Sequence, residues 1–248
     1  MLPTITIGPL VLPTAGLVYI IGAWVALSMV EHSAKALELD AEAVYGLSAV
    51  ALAAGFIGAR LLFVALHWPA YRDNLGGIVW PLTSGFDVWG GLFFGIAAAF
   101  FYGRTKQLPL AATLDALAPG LFVALISGSL ADFLAGPGYG TETAVPWSLD
   151  LYGIRRHPVQ LYEVIVALLA LLVWWRALDH RSFDGQLFLI SVGVYSAGRL
   201  IFDAYRANAW LTSSGYHVLQ IASLVILLVC IFLLGRRLTA KSSDVEAA

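Results

Sequence analysis

Within nine residues, from Arg155 to Glu163, the chain carries two arginines, a histidine, a glutamine, a tyrosine and a glutamate. The order is Arg155-Arg156-His157-Pro158-Val159-Gln160-Leu161-Tyr162-Glu163, and an apolar run from Val164 to Trp175 follows directly. Ionisable groups at the mouth of such a run are costly in lipid, so they face protein or a wet cavity. Pro158 suits the first turn of a helix, where its missing N–H is not needed. At about 100° per residue, His157, Gln160 and Glu163 fall within roughly 120° of arc and are expected to line one cavity. A second set, Tyr195, Arg199, Asp203 and Arg206, is spaced by four, four and three. Helical geometry puts all of these within roughly 80° on one face. Two arginines around one aspartate leave surplus positive charge, and the guanidinium fork matches phosphate oxygens. Arg60, Arg155 and Arg156 add to that charge. The chemistry expected is capture of a phosphate-bearing anion; the alternative is an internal ion-pair network.

Other polar residues sit against apolar runs. Arg60 follows Gly55-Phe56-Ile57-Gly58-Ala59, whose small residues allow close helix approach. It either serves the anion, snorkels, or pairs with Asp87 or Asp132. In Trp89-Gly90-Gly91-Leu92-Phe93-Phe94-Gly95, the glycines either pack helices or let bare backbone approach a ligand at Gly90 and Gly91. Asp132 closes an apolar run and needs a partner, with Arg60, Arg199 and Arg206 as candidates, or else works as a general base. His157 either lines the expected cavity or is only a helix-start residue bonded to a loop. His67 and His217 stand at run ends and read as interfacial. No H-E-x-x-H, paired histidine, G-x-S-x-G or P-loop occurs, so neither a metal nor a cofactor is expected. Cys230, the single cysteine, lies in an apolar run and reads as a small packed hydrophobe.

The elements that must position these groups are membrane helices. The chain is 60% hydrophobic and 12% charged, against about 25% charged in soluble domains. Its long apolar runs exclude the alternating pattern of a β-barrel. The fold class is an all-α membrane protein with about seven spans, near residues 13–31, 45–67, 87–103, 111–134, 158–178, 184–203 and 216–235. Lys35, Arg104, Lys106, Arg176, Arg181, Arg236, Arg237 and Lys241 fall on one side; Arg72, Arg155, Arg156 and Arg206 fall on the other. That bias predicts an outside N-terminus and a cytoplasmic C-terminus. Residues 1–241 read as one polytopic domain with external loops at about 68–86 and 136–157, and residues 242–248 as a disordered cytoplasmic tail. The first sixteen residues hold no basic residue, so the first span is expected to be retained rather than cleaved. A net charge of −2 argues against a nucleic-acid partner. No internal repeat is evident, which disfavours many transporter folds.

These motifs resemble the prolipoprotein diacylglyceryl transferase family of bacterial inner-membrane enzymes. Arg156-His157-Pro158-Val159-Gln160-Leu161-Tyr162-Glu163 is close to its R-H-P-[ST]-Q-L-Y-E, and Arg199, Asp203 and Arg206 fit its R-x-x-x-E-x-x-R. Ile7-Gly8-Pro9-Leu10, Gly58-Ala59-Arg60, Gly140 and Gln220 also match. The chain departs from the pattern at Trp89, where the family has histidine, at Ser129, where it has arginine, and at Asp132, where it has asparagine. An aromatic pair is replaced around Pro13-Thr14-Ala15. The resemblance implies a divergent, multi-pass inner-membrane member. It would move a diacylglyceryl group from phosphatidylglycerol, or a similar anionic phospholipid, to a cysteine thiol at a prolipoprotein signal peptide. Glycerol phosphate would leave. The implied roles are phosphate binding for Arg199 and Arg206, with Arg60 or Arg156, and thiol deprotonation for His157 or Asp132. Gln160, Tyr162, Glu163, Asp203, Gly90, Gly91 and Gly140 would complete the substrate site. Two rivals remain: a silent or re-purposed paralogue that binds phospholipid or lipoprotein, favoured by Ser129 and Trp89, and a channel or transporter.

Overall fold

The structure, a computed structural model, describes residues 3–8, 10–73, 75–79, 85–151 and 153–246. It is mostly helical. The long helices are α1 (Thr14–Ala36), α2 (Ala41–Leu66), α5 (Val88–Thr105), α6 (Leu110–Ala135), α7 (Val159–Ala177), α8 (Gln186–Phe202) and α9 (Val218–Glu246). Two one-turn helices, α3 (Trp68–Tyr71) and α4 (Gly76–Val79), fall between α2 and α5. Among the described residues six helices are long and apolar enough to cross a membrane: α1, α2, α6, α7, α8 and α9. The expected third span, α5, is helical but not among them; its glycines, Trp89 and Arg104 dilute its apolar content. The helix α9 continues through Ser242–Glu246, inside the segment expected to be a disordered tail, and 247–248 lie outside the described residues.

Two small antiparallel hairpins add to the all-helical expectation. The first pairs β1 (Thr4–Ile7) with β2 (Leu10–Pro13), directly ahead of α1. The second pairs β3 (Leu149–Leu151) with β4 (Ile154–Arg156), directly ahead of α7. Both carry β-branched or long apolar residues in short runs that period-3.6 reading passes over.

The chain clusters into two compact units, residues 30–113 and residues 1–29 with 114–248. In the first unit α2 packs on α5 along a seam of small residues. A Cβ on Gly95 would stand 3.1 Å from the Ala51 carbonyl oxygen, one on Gly91 3.3 Å from Ala59 Cβ, and one on Gly90 2.7 Å from Leu62 Cβ. Bare backbone lets the two helices touch, as small residues do between membrane helices. Aspartate caps start both helices: Asp40 accepts from Ala43 N at 3.0 Å and Asp87 from Gly90 N at 2.7 Å.

In the second unit α8 packs against both α7 and α9. Gly198 makes the α7 contact close, since a Cβ there would lie 2.4 Å from Val166. One end of this layer is fixed by Asp115 of α6, which is fully buried. Its Oδ2 accepts from Gly185 N at 2.7 Å and its Oδ1 from Phe188 N at 2.8 Å, so it caps α8 from another helix. Trp174 of α7 donates its Nε1–H to the Asp115 carbonyl at 2.9 Å. Arg181 stands 4.0 Å from the same carboxylate. Three helices are thereby pinned at one end, and the candidate site lies at the other ends of those helices.

Candidate functional site

The site starts where α7 begins. Val159 opens that helix, so Gln160 and Glu163 stand on its first turns. His157 precedes the helix, so the helical arc expected for His157, Gln160 and Glu163 holds only for the last two. Glu163 is buried, 6% exposed. Its Oε1 accepts from Arg199 Nη1 at 2.5 Å and from Arg206 Nη2 at 2.5 Å, and its Oε2 accepts from the Ser129 hydroxyl at 3.1 Å. Charge-assisted bonds of this kind are short and about twice as strong as neutral ones.

The second motif is not one continuous helical stripe. The α8 helix ends at Phe202, Asp203–Tyr205 form a short 3-10 turn, and Arg206 is extended at φ −80°, ψ 122°. Strand pairing brings Arg206 back. It bridges to Gly140, Thr141 N donates to Tyr205 O at 2.7 Å, and Ala207 N donates to Tyr139 O at 3.1 Å. The other side of the 139–143 segment pairs with 155–157, through Thr143 N to Arg155 O at 2.9 Å and His157 N to Thr141 O at 3.0 Å. The glycine-rich loop is therefore a strap woven between the two motifs. Gly140 must be glycine in it: a Cβ there would stand 2.4 Å from the His157 carbonyl oxygen. Gly138 takes φ +76°, and a Cβ on it would meet Arg206 Nη1 at 2.9 Å.

Asp203, 1% exposed, sits behind the arginines. Its Oδ1 lies 3.5 Å from Arg199 Nη2 and 3.6 Å from Arg206 Nε. Its Oδ2 lies 3.3 Å from His217 Nδ1. The cluster thus holds two arginines against two carboxylates. The surplus positive charge expected from the arginine–aspartate spacing is balanced by Glu163, a residue the spacing argument left out. Gln220 holds the start of α9 to this end of α8 by donating to Leu200 O at 2.9 Å.

The remaining expected residues divide into two groups. Gln160, 2% exposed, donates to Pro137 O at 2.9 Å and ties the strap to α7. Arg156 donates to Gly140 O at 3.2 Å and lies 4.9 Å from the centre of the Tyr139 ring. His157 Nδ1 is 3.1 Å from the Tyr162 hydroxyl, which accepts from Trp147 Nε1 at 2.7 Å. Asp132, at the end of α6, makes no ion pair within 4 Å among the described residues. Its nearest cationic neighbour is marked by Gly138, whose added Cβ would stand 3.6 Å from Asp132 Oδ2 and 2.9 Å from Arg206 Nη1. In the other unit Arg60, 7% exposed, donates to Ile78 O at 3.0 Å, Gly85 O at 2.9 Å and Gly77 O. It ties residues 77, 78 and 85 to α2. Gly90 and Gly91 are occupied by α2 packing there.

A family model described as prolipoprotein diacylglyceryl transferase matches residues 3–236. The chain belongs to that family. Relatives named phosphatidylglycerol–prolipoprotein diacylglyceryl transferase match from several bacteria. The one from Clostridioides difficile is 26% identical over 83% of this chain and 81% of its own length. The one from Corynebacterium efficiens is 28% identical over 97% of this chain and 82% of its own. The one from Streptococcus pyogenes serotype M5 is 26% identical over 93% of each. As a family member with six apolar helices long enough to span, the chain is a multi-pass membrane protein.

Within this prolipoprotein diacylglyceryl transferase family member, Ser129 is the departure with the clearest structural consequence. It is buried and bonds Glu163 through the carboxylate oxygen that the arginines leave free. A hydroxyl there satisfies the second carboxylate oxygen and adds no charge. Sequence reading missed two residues of the polar framework. Asp115 gave no signal beyond being an acid in an apolar run. His217 was set aside as interfacial, although it lies fourteen residues after Asp203 and ends on it.

Proposed function

We propose that this chain moves a diacylglyceryl group from phosphatidylglycerol, or a similar anionic phospholipid, to the cysteine thiol of a prolipoprotein signal peptide. The observation that carries the reading is the pair Arg199 and Arg206 converging on Glu163 at one end of α7 and α8, in a chain of this family. In the reaction the thiol loses its proton. Sulfur attacks the glyceryl carbon that bears the phosphoester oxygen, the C–S bond forms, and the C–O bond breaks with its electron pair on the phosphate. Glycerol phosphate leaves. Positive groups aimed at the departing phosphate lower the barrier, and one such group is commonly worth about 10² to 10³ in rate.

Arg206 and Arg199 take that role, held at a fixed distance by Glu163 and Asp203 so that no reorganisation is needed on reaction. Arg156, on β4, bonds the strap at Gly140 beside them. Gln160 and Gly140 keep the strap closed on the arginines, and Tyr162 orients His157. His157 and Asp132 are the acceptors the sequence offers for the thiol proton. For Arg60, Gly90 and Gly91 a part in the substrate site is implied by the family resemblance alone. We place the chain in the bacterial inner membrane with α5 as a seventh span, its N-terminus outside and its C-terminus in the cytoplasm, following the loop charges.

Ser129 favours a second reading. With serine in place of the family's arginine, the site binds phospholipid but transfers slowly or not at all. Complementation separates the two. In a bacterium depleted of its own diacylglyceryl transferase, this chain is expected to restore lipidated lipoprotein, and Arg199→Ala to abolish it. No lipidation with the protein correctly inserted would favour the silent reading.

A further inference from the structure

We propose that the group that takes the thiol proton is His217. The inference rests on the transferase reading above and adds the missing half of its chemistry.

Three observations meet at this histidine. Its Nδ1 lies 3.3 Å from Oδ2 of Asp203, a carboxylate 1% exposed. A buried carboxylate only accepts, so the Nδ1 facing it carries the proton. The lone pair is then on Nε2. Among the described residues Nε2 has no hydrogen-bond partner, and the side chain is 22% exposed, open enough to meet a substrate. Third, the residue stands immediately before α9, at the end of a helix long and apolar enough to cross a membrane. A base oriented by a buried carboxylate on its far nitrogen is the general arrangement for activating a weak nucleophile.

The rival acceptors lack one part each. His157 faces a neutral hydroxyl, Tyr162, on its Nδ1. Asp132 makes no ion pair within 4 Å among the described residues. Trp89, standing where the family's pattern has a histidine, offers no lone pair. His217 supplies an imidazole from a different element, and the connection is direct: the carboxylate that orients it also faces both phosphate-binding arginines.

The step balances. The thiol proton passes to His217 Nε2, and the imidazolium is stabilised by Asp203. The thiolate forms the C–S bond while the phosphoester C–O bond breaks, and the proton then goes to the departing phosphate or to water. Arg199 and Arg206 disfavour a third cation, but Glu163 and Asp203 cancel them, and the incoming phosphate adds a further negative charge. An imidazolium forms without facing net positive charge.

The test uses the full-length protein in phosphatidylglycerol vesicles and two lipobox peptides, one with cysteine and one with selenocysteine. His217→Asn keeps an N–H for Asp203 and removes the acceptor; His217→Gln is the second variant. On the cysteine peptide kcat should fall about 10² to 10⁴-fold, the usual contribution of a general base. Phosphatidylglycerol affinity should be unchanged. A selenol ionises at neutral pH without a base, so most of the loss should vanish on the selenocysteine peptide. Unchanged kcat on cysteine in either variant overturns the proposal. So does an equal loss on both peptides in both variants, which marks a structural role. Absence of transfer by the unmodified protein overturns the transferase reading and the base with it, and that result is distinct from the other two.

Discussion

Glu163 is the residue on which the two polar motifs meet. It is a single carboxylate that accepts from Arg199, Arg206 and Ser129. Its position gives both part-buried arginines a carboxylate partner. If Arg199 binds a phosphate, phosphatidylglycerol should bind more tightly than diacylglycerol. Arg199→Ala should erase the preference in native mass spectrometry, by about tenfold or more for a charge-assisted bond of about 1.5–3 kcal/mol. Equal affinity for both lipids before mutation would exclude the anion site. Ser129 carries the next expectation. Ser129→Arg combined with Trp89→His and Asp132→Asn restores the family's pattern and should raise the transfer rate; an unchanged or lower rate would show that the chemistry does not depend on those positions. Much of this was legible in the sequence: the spacing of Arg199, Asp203 and Arg206 marked them as partners. The partner that balances them, Glu163, was legible as a member of its own motif but not as theirs. Linear spacing carries no information on contacts between helices.

At the scale of elements, the strap 139–143 and the interhelical cap at Asp115 position the site from opposite ends. Helix periodicity identified the long apolar elements, because their apolar runs exceed the length that crosses a bilayer. It did not reveal the strap, whose pairing partners lie at 155–157 and 205–207, nor the end of α8 at Phe202. Such pairing is set by backbone bonds between distant segments and leaves only glycines as a trace, here Gly138 and Gly140. Asp115 allows a direct measurement. Asp115→Ala leaves the N–H groups of Gly185 and Phe188 buried without their acceptor, at about 1–3 kcal/mol each. The thermal midpoint in detergent should drop clearly. Asp115→Asn keeps one acceptor oxygen and should cost less. Equal midpoints for the alanine variant and the parent would show that the cap contributes nothing.

For the whole molecule, orientation decides whether the site faces the substrates. The loop charges predict that residues 136–157 lie outside. A cysteine introduced in that loop should react with an impermeant maleimide on intact cells, and a reporter fused after Ala248 should register as cytoplasmic. Labelling only after lysis would reverse the orientation. Composition alone identified a membrane protein, and the family motifs narrowed it to a lipid-modifying one. Charge balance within the site emerged only from the folded chain. The most direct test is the product. The purified protein in phosphatidylglycerol vesicles, given a lipobox peptide with its cysteine, should yield peptide heavier by one diacylglyceryl group in thioether linkage, with an equal amount of glycerol phosphate released. Peptide of unchanged mass, under conditions where phosphatidylglycerol is bound, would contradict a diacylglyceryl transferase and leave a phospholipid-binding protein.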